Sequence, residues 1–303
     1  TWRVFCLLGD DILPTPQQTK EFKTYEQQLQ LLMDRGLIVP DKEYALSVLR
    51  SVNYYRLSAY SLTLRKDDGF YPQVSFSDIV ELYDFDGEFR ALVLKYTLFV
   101  EITFRTHLAY YHAAKYGALG YLNGNNFESE WLHAEFLSSL KAKIRYSSEP
   151  FIIHHREDLK GIYPIWVAVE VVTFGMVSKF FKYLVPEDRA SISKEIYGIS
   201  REYIENWLQC TVVARNIAAH GGRFYNKRKL GPDILFTEKE KKNRLFSSST
   251  AFAYVVSTYK LLLSEESKIG LIKDLGRLFK RHPFVQPRRL GFPNEWENVL
   301  LEY

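Results

Sequence analysis

Cysteine is nearly absent from this 303-residue chain: it has two, Cys6 and Cys210. No C-x-x-C or Cys/His spacing accompanies them, which excludes a zinc ribbon or a disulfide scaffold and fits a reducing cytoplasm. Long uncharged apolar runs are missing too. The longest, Ala91–Phe104 and Ile165–Phe181, are interrupted by Lys95 and Glu101 and by Glu170 and Lys179. They read as buried helices, so no membrane partner is expected. Alternating runs of the strand type are also scarce, and Asn123-Gly124 lies in a loop rather than between two of them. There is no P-loop, no G-x-G-x-x-G, no Ser-His-Asp order and no internal repeat, which leaves no expectation of a cofactor.

What the chain has in quantity is aromatic: 21 Tyr and 21 Phe, within a hydrophobic content of 47%. That is ample for a core, and so many tyrosines suit cores with wet edges or the stacking of bases. A net charge of +4 and a pI near 8.8 permit a nucleic-acid partner without demanding one.

Along the chain the pattern is helical. Residues 1–19 hold Pro14 and Pro16 and show weak periodicity; they read as a cloning remnant or an atypical leader and carry no functional weight. Thr24-Tyr25-Glu26-Gln27 is a capping-box signature, and Gly36 stops the helix it opens. Asp41 caps a second helix, and a third is predicted over Val52–Leu64. These make an N-terminal short-helix lobe over 20–75, with Lys66–Ser75 as a loop. Three short helices also allow a duplex-DNA-binding regulator as one reading. Tyr54, Tyr55 and Arg56 form an aromatic and basic cluster that could stack on unpaired bases, or could pack the lobe instead.

From Asp78 to Tyr116 one long helix is expected, with Gly87 a candidate kink and Asp84, Asp86 and Glu88 a solvated acidic face. Glu101 and Arg105 (i, i+4) lie in an apolar stretch, as a buried pair or as support for a site. Ile165–Tyr183 reads as one buried helix. A helix over Arg201–His220 follows, capped by Ser200, and further helices end the chain. The sequence therefore divides into the lobe, a core over 76–226, and a basic loop with C-terminal helices over 227–303.

The chemistry concentrates at the end of the Arg201–His220 helix, in Thr211–Asn226. Asn216 and His220 share a face, and Arg215 reaches in from the side. Val212, Val213, Ile217 and Ala218 are expected to face the core. Gly221 and Gly222 then let the chain leave with φ > 0. Imidazole can move protons near neutrality, guanidinium forks onto phosphate oxygens, and an amide can orient either. Beyond the glycines, Arg223, Asn226, Lys227, Arg228 and Lys229 form a basic edge suited to RNA. Two other R-x4–6-H spacings occur. Arg277 and His282 run into Pro283 and a helix exit. Arg105 and His112 share one helix face, which leaves a contribution from them open. His154 and His155 point to different faces and make poor joint metal ligands, so no metal site is expected.

Arg215-Asn216-x3-His220 resembles the R-x4–6-H motif of HEPN ribonucleases. The flanks extend the likeness: Thr24–Val39, Asn53–Tyr60, Leu82–Arg90, Val100–Thr106, Pro164–Gly175 and Arg215–Asn226 are, in that order, similar to the Abi-like abortive-infection family of the AbiD/AbiF type. The resemblance implies an all-α, HEPN-type helical bundle acting in anti-phage defence. It implies an endoribonuclease in which Arg215, Asn216 and His220 are catalytic, Glu101 and Arg105 are supporting, and no metal takes part. The products would be 2′,3′-cyclic phosphate and 5′-OH ends. One motif supplies one histidine, so a homodimer sharing one cleft is expected. The alternative is a non-catalytic RNA-binding protein associated with a small non-coding RNA.

Overall fold

A computed structural model describes residues 21–242 and 245–303; the leader reading and Cys6 lie outside the described residues. The chain divides between Val80 and Glu81 into two compact units.

Unit 1 opens with α1 (Tyr25–Asp34), and both halves of its capping box form. The Thr24 hydroxyl accepts the Gln27 N–H at 3.2 Å, and the Gln27 side chain accepts the Thr24 N–H at 2.9 Å. Gly36 ends the helix with φ +88°. Leu37 N–H then donates to the Leu32 carbonyl and Gly36 N–H to that of Met33, the paired bonds of a Schellman stop. Asp41 caps α2 (Lys42–Ser51) through the Tyr44 N–H.

The third helix is much shorter than the expected Val52–Leu64. Val52 is extended, and Asn53 restarts the chain by accepting the Tyr55 N–H, so α3 covers only Tyr54–Ser58. The expected loop holds a small hairpin, β1 (Arg65–Lys66) paired antiparallel with β2 (Gly69–Phe70) around Asp67 at φ 53°. The helix α4 (Phe76–Tyr116) then starts two residues before the expected Asp78: Ser75 and Asp78 cap each other.

In unit 2, α4 runs unbroken through Gly87. It buries Leu82, Phe85, Phe89, Val93, Tyr96, Val100, Phe104 and Leu108, a stripe at spacings of three and four. Next come α5 (Glu130–Tyr146) and α6 (Pro150–Glu157). The single helix expected over Ile165–Tyr183 is broken. A short α7 (Ile165–Ala168) passes into a 3-10 turn at Val169–Val171, Val172 is extended, and Thr173 caps a new helix, α8 (Phe174–Tyr183), through the Met176 N–H. β-branched residues at 169, 171, 172 and 173 favour that break.

The chain continues with α9 (Pro186–Tyr197), α10 (Arg201–Ala219), α11 (Glu238–Lys242), α12 (Ala251–Leu261), α13 (Glu265–Arg281) and α14 (Trp296–Leu301). Apart from the hairpin, the described residues are all-α as expected. None of these helices is long and apolar enough to cross a membrane.

The site helix α10 packs on α12 and α8. Its buried face is Ile204, Trp207, Leu208, Thr211, Ala214 and Ala218, which includes the expected Ala218. Val212, Val213 and Ile217 are only half-buried and flank this face, because the small Ala214 and Ala218 are what let α10 lie close. The Trp207 indole donates to the Leu235 carbonyl at 2.9 Å, and Asn206 brackets the same segment through Leu235 N–H and the Asp233 carbonyl. Cys210 is buried beneath, its thiol pKa pushed up to about 12 by desolvation, so it is an inert packing group.

Candidate functional site

The site is built on a helix end. His220 caps α10 and leaves the regular helix at φ −94° and ψ 15°. Gly221 follows at φ +66°. Its N–H donates to the Ala218 carbonyl at 3.2 Å, and Gly222 N–H donates to that of Ile217 at 2.7 Å. This is the same Schellman stop as at Gly36. The two glycines have different reasons. Gly221 needs the left-handed conformation. Gly222 does not; a Cβ there would lie 2.8 Å from Ile217 Cγ2 and 3.0 Å from the Ile217 carbonyl oxygen. The result is a last turn with the Asn216 and His220 side chains exposed and Arg215 partly so.

Behind that turn lies the middle of α4. Glu101 is only 6% exposed and divides its oxygens between two arginines. Oε1 accepts from Arg105 Nη2 at 2.7 Å, and Oε2 lies 3.9 Å from Arg215 Nε. Arg215 Nη1 donates to Asn216 Oδ1 at 3.3 Å. The guanidinium is thus held along one edge by its neighbours. The broken helix completes the set: the Val172 carbonyl, freed at the α7–α8 junction, accepts from Arg105 Nη2 at 3.0 Å, and Glu170 lies 3.5 Å from Arg105 Nη1. Glu101 and Arg105 are therefore part of one network that reaches Arg215. The sequence offered no separate signal for Glu170 and Val172, because their role exists only through the break.

The exit from the site is anchored from α4 as well. Asp86 is fully buried and accepts the N–H groups of Phe224 (3.2 Å) and Tyr225 (2.8 Å), together with Arg90 Nη1 at 2.8 Å. Asp84 is exposed, as a solvated acidic face requires, but Asp86 is not. Asp86 falls between Phe85 and Phe89 on the buried side of the helix, and that aromatic bracket was its legible signal. Glu88, half-exposed, pairs with Arg281 at 2.6 Å.

The remaining candidates scatter. Arg228 and Lys229 are exposed, and Arg223, Asn226 and Lys227 are half-buried. Asn226 sits at φ 53° with its N–H on the Arg289 carbonyl, so this edge follows directly from the anchored turn. Arg105 and His112 do not form a pair. Arg105 belongs to Glu101, while His112 is buried against Tyr116, Phe127 and Phe180. Burial lowers the His112 pKa to about 4, against the opposing pull of Asp188. His282 likewise faces Glu81 and Glu88, not Arg277. His154 bonds Asp158 at 2.8 Å and His155 the Ile162 carbonyl at 2.7 Å. Among the described residues no three His, Cys, Asp or Glu side chains gather as metal ligands would. In unit 1, Tyr54 and Tyr55 line a cleft and Arg56 is exposed on α3.

No curated protein and no solved structure matches this chain. A family model does, over residues 47–226, a span that holds α4, the broken α7–α8 segment and the whole of α10 with its glycine stop. The chain belongs to the family of Abi-like proteins.

Proposed function

We propose that this protein is an anti-phage abortive-infection toxin of HEPN type, a metal-independent endoribonuclease acting at the C-terminal end of α10. One observation carries the reading. An exposed imidazole, His220, and a part-exposed guanidinium, Arg215, occupy the same helix end, and the guanidinium is oriented by the buried Glu101. Arg215 holds the scissile phosphate and stabilises its extra negative charge in the transition state. The ribose 2′-OH gives up its proton and attacks phosphorus; the 5′ oxygen leaves and takes a proton. His220 performs such transfers, worth about 10²–10⁴-fold, and Asn216 orients it or the substrate. The ends formed are 2′,3′-cyclic phosphate and 5′-OH.

The two proton transfers ask for two imidazoles, so the active form is a homodimer in which each subunit supplies one set to a shared cleft. Exposed Leu98 and Ile102, which adjoin Glu101 and Arg105 on α4, support such an apolar contact beside the site. The test is direct. His220→Ala and Arg215→Ala, expressed beside the unaltered protein, lose toxicity and RNA cleavage, while EDTA leaves cleavage intact. Equal toxicity and cleavage in both variants defeats the assignment, and loss of cleavage with chelator points to a different chemistry.

A further inference from the structure

We propose that the cleft of unit 1 binds unpaired RNA, stacking bases on tyrosine rings while arginines take the phosphates. This rests on the reading that the protein acts on RNA, but not on its being a nuclease. The cleft has a volume of about 830 Å³, within the range of specific ligand sites. Its walls come from α1, α2, α3 and β1. Four cations line it, Lys23, Arg35, Arg50 and Arg65, against two acids, Glu21 and Asp68.

That excess is local. Over residues 21–80 acidic side chains outnumber basic ones by one, so the fold gathers positive charge into this cleft from a lobe that is slightly acidic overall. Among the described residues Arg50 has a loose ion-pair partner, Glu26 at 3.8 Å, with both side chains more than half exposed, and such pairs are worth little. Its guanidinium is therefore easily redirected to a phosphate.

Aromatic faces accompany the charge. Tyr25, Tyr54 and Tyr55 line the same cleft, and Tyr55 is 62% exposed. The rings of Tyr54 and Tyr55 stand edge-to-face at 5.6 Å, held there by the Asn53 cap at the start of α3. Guanidinium groups beside exposed ring faces are what single strands use, since every base has a face to stack and duplexes hide theirs. A duplex-binding lobe would instead present a projecting recognition helix to a groove, and α3, the helix after the α1–α2 pair, is five residues long.

The experiment uses the full chain carrying His220→Ala, so that binding is read without cleavage, and a fluorescently labelled oligouridine followed by anisotropy. Tyr55→Ala weakens binding by about tenfold, the loss of one stacked base, while Tyr55→Phe, which keeps the ring, stays within about twofold. Arg50→Gln lowers the salt dependence of log Kd by about one. These side chains are exposed, and unchanged circular dichroism checks the fold. Unaltered affinity in Tyr55→Ala and Arg50→Gln overturns the proposal, as does equally tight binding of a duplex of the same length. RNA cleavage with no effect of these changes on binding removes the cleft and leaves the nuclease; cleft-dependent binding without cleavage by the His220-bearing protein does the reverse.

Discussion

Gly222 sits where a side chain has nowhere to go, and its neighbour Gly221 sits where the backbone conformation itself resists one. The two costs are separable. Gly221→Ala forces a left-handed residue with a Cβ, about 1–2 kcal/mol. Gly222→Ala pushes a methyl against the Ile217 carbonyl oxygen at 3.0 Å, a backbone atom that yields only by moving the last turn, at about 1–3 kcal/mol. Urea unfolding midpoints measure both, and the proposed cleavage should fall further in Gly222→Ala, because moving the last turn displaces Arg215 and His220. Asp86 is the other single residue on which the turn depends. Removing it takes a buried carboxylate acceptor away from Arg90 Nη1 and from the Phe224 and Tyr225 N–H groups. Asp86→Ala is expected to cost about 3 kcal/mol or more, read as a lowered denaturation midpoint.

At the scale of elements, the site is a meeting of α10 with α4 and with a break between α7 and α8. The break has a physical use, because a continuous helix would consume the Val172 carbonyl that now receives Arg105. Magnitudes separate the two carboxylates around that arginine. Glu101 is buried, and breaking its close pair leaves it only the longer contact to Arg215 at 3.9 Å, at a cost toward the low end of about 3–5 kcal/mol. Glu170 is half-exposed, and its pair is worth about 1 kcal/mol at most. Arg105→Ala should therefore lower the melting temperature sharply and Glu170→Gln hardly at all. Equal effects in thermal scans would show that the Arg105 network is not what ties α4 to the break.

For the whole molecule, acid tolerance should be set in part by a histidine outside the site. His112 is held neutral by burial, with its pKa lowered to about 4. Asp188 partly opposes the shift, and Lys115, which pairs with Asp188, adds to it. In the unfolded chain the same group binds a proton near pH 6.5, so between those values the unfolded state carries the extra proton. Its contribution is full above pH 6.5 and is lost as the pH falls toward 4, by about 2 kcal/mol at pH 5. Denaturation midpoints at pH 7 and pH 5 measure it, and replacing His112 by a neutral isostere should flatten the difference. The proposed homodimer makes a further prediction: Ile102→Asp, on the exposed side of α4, should give a smaller species by sedimentation and lose the proposed cleavage while keeping helical content.

Much of the helical plan was legible because local chemistry writes it. The Thr24 capping box, the Asp41 cap, the glycine stops and the apolar periodicity each act within a few residues, and the reading of an all-α chain followed. The candidate motif was legible for the same reason, since Arg215, Asn216 and His220 share one turn. Tertiary structure decided what depends on a distant partner. It chose which face of α10 is buried, because α12 and α8 select the small Ala214 and Ala218 for close approach. It turned Asp86 inward, where backbone donors 138 and 139 residues away neutralise its cost. It broke the Ile165–Tyr183 segment, where an arginine from another helix offers the freed carbonyl a better bond than water. Sequence spacing encodes contacts along the helix; these came from contacts across it.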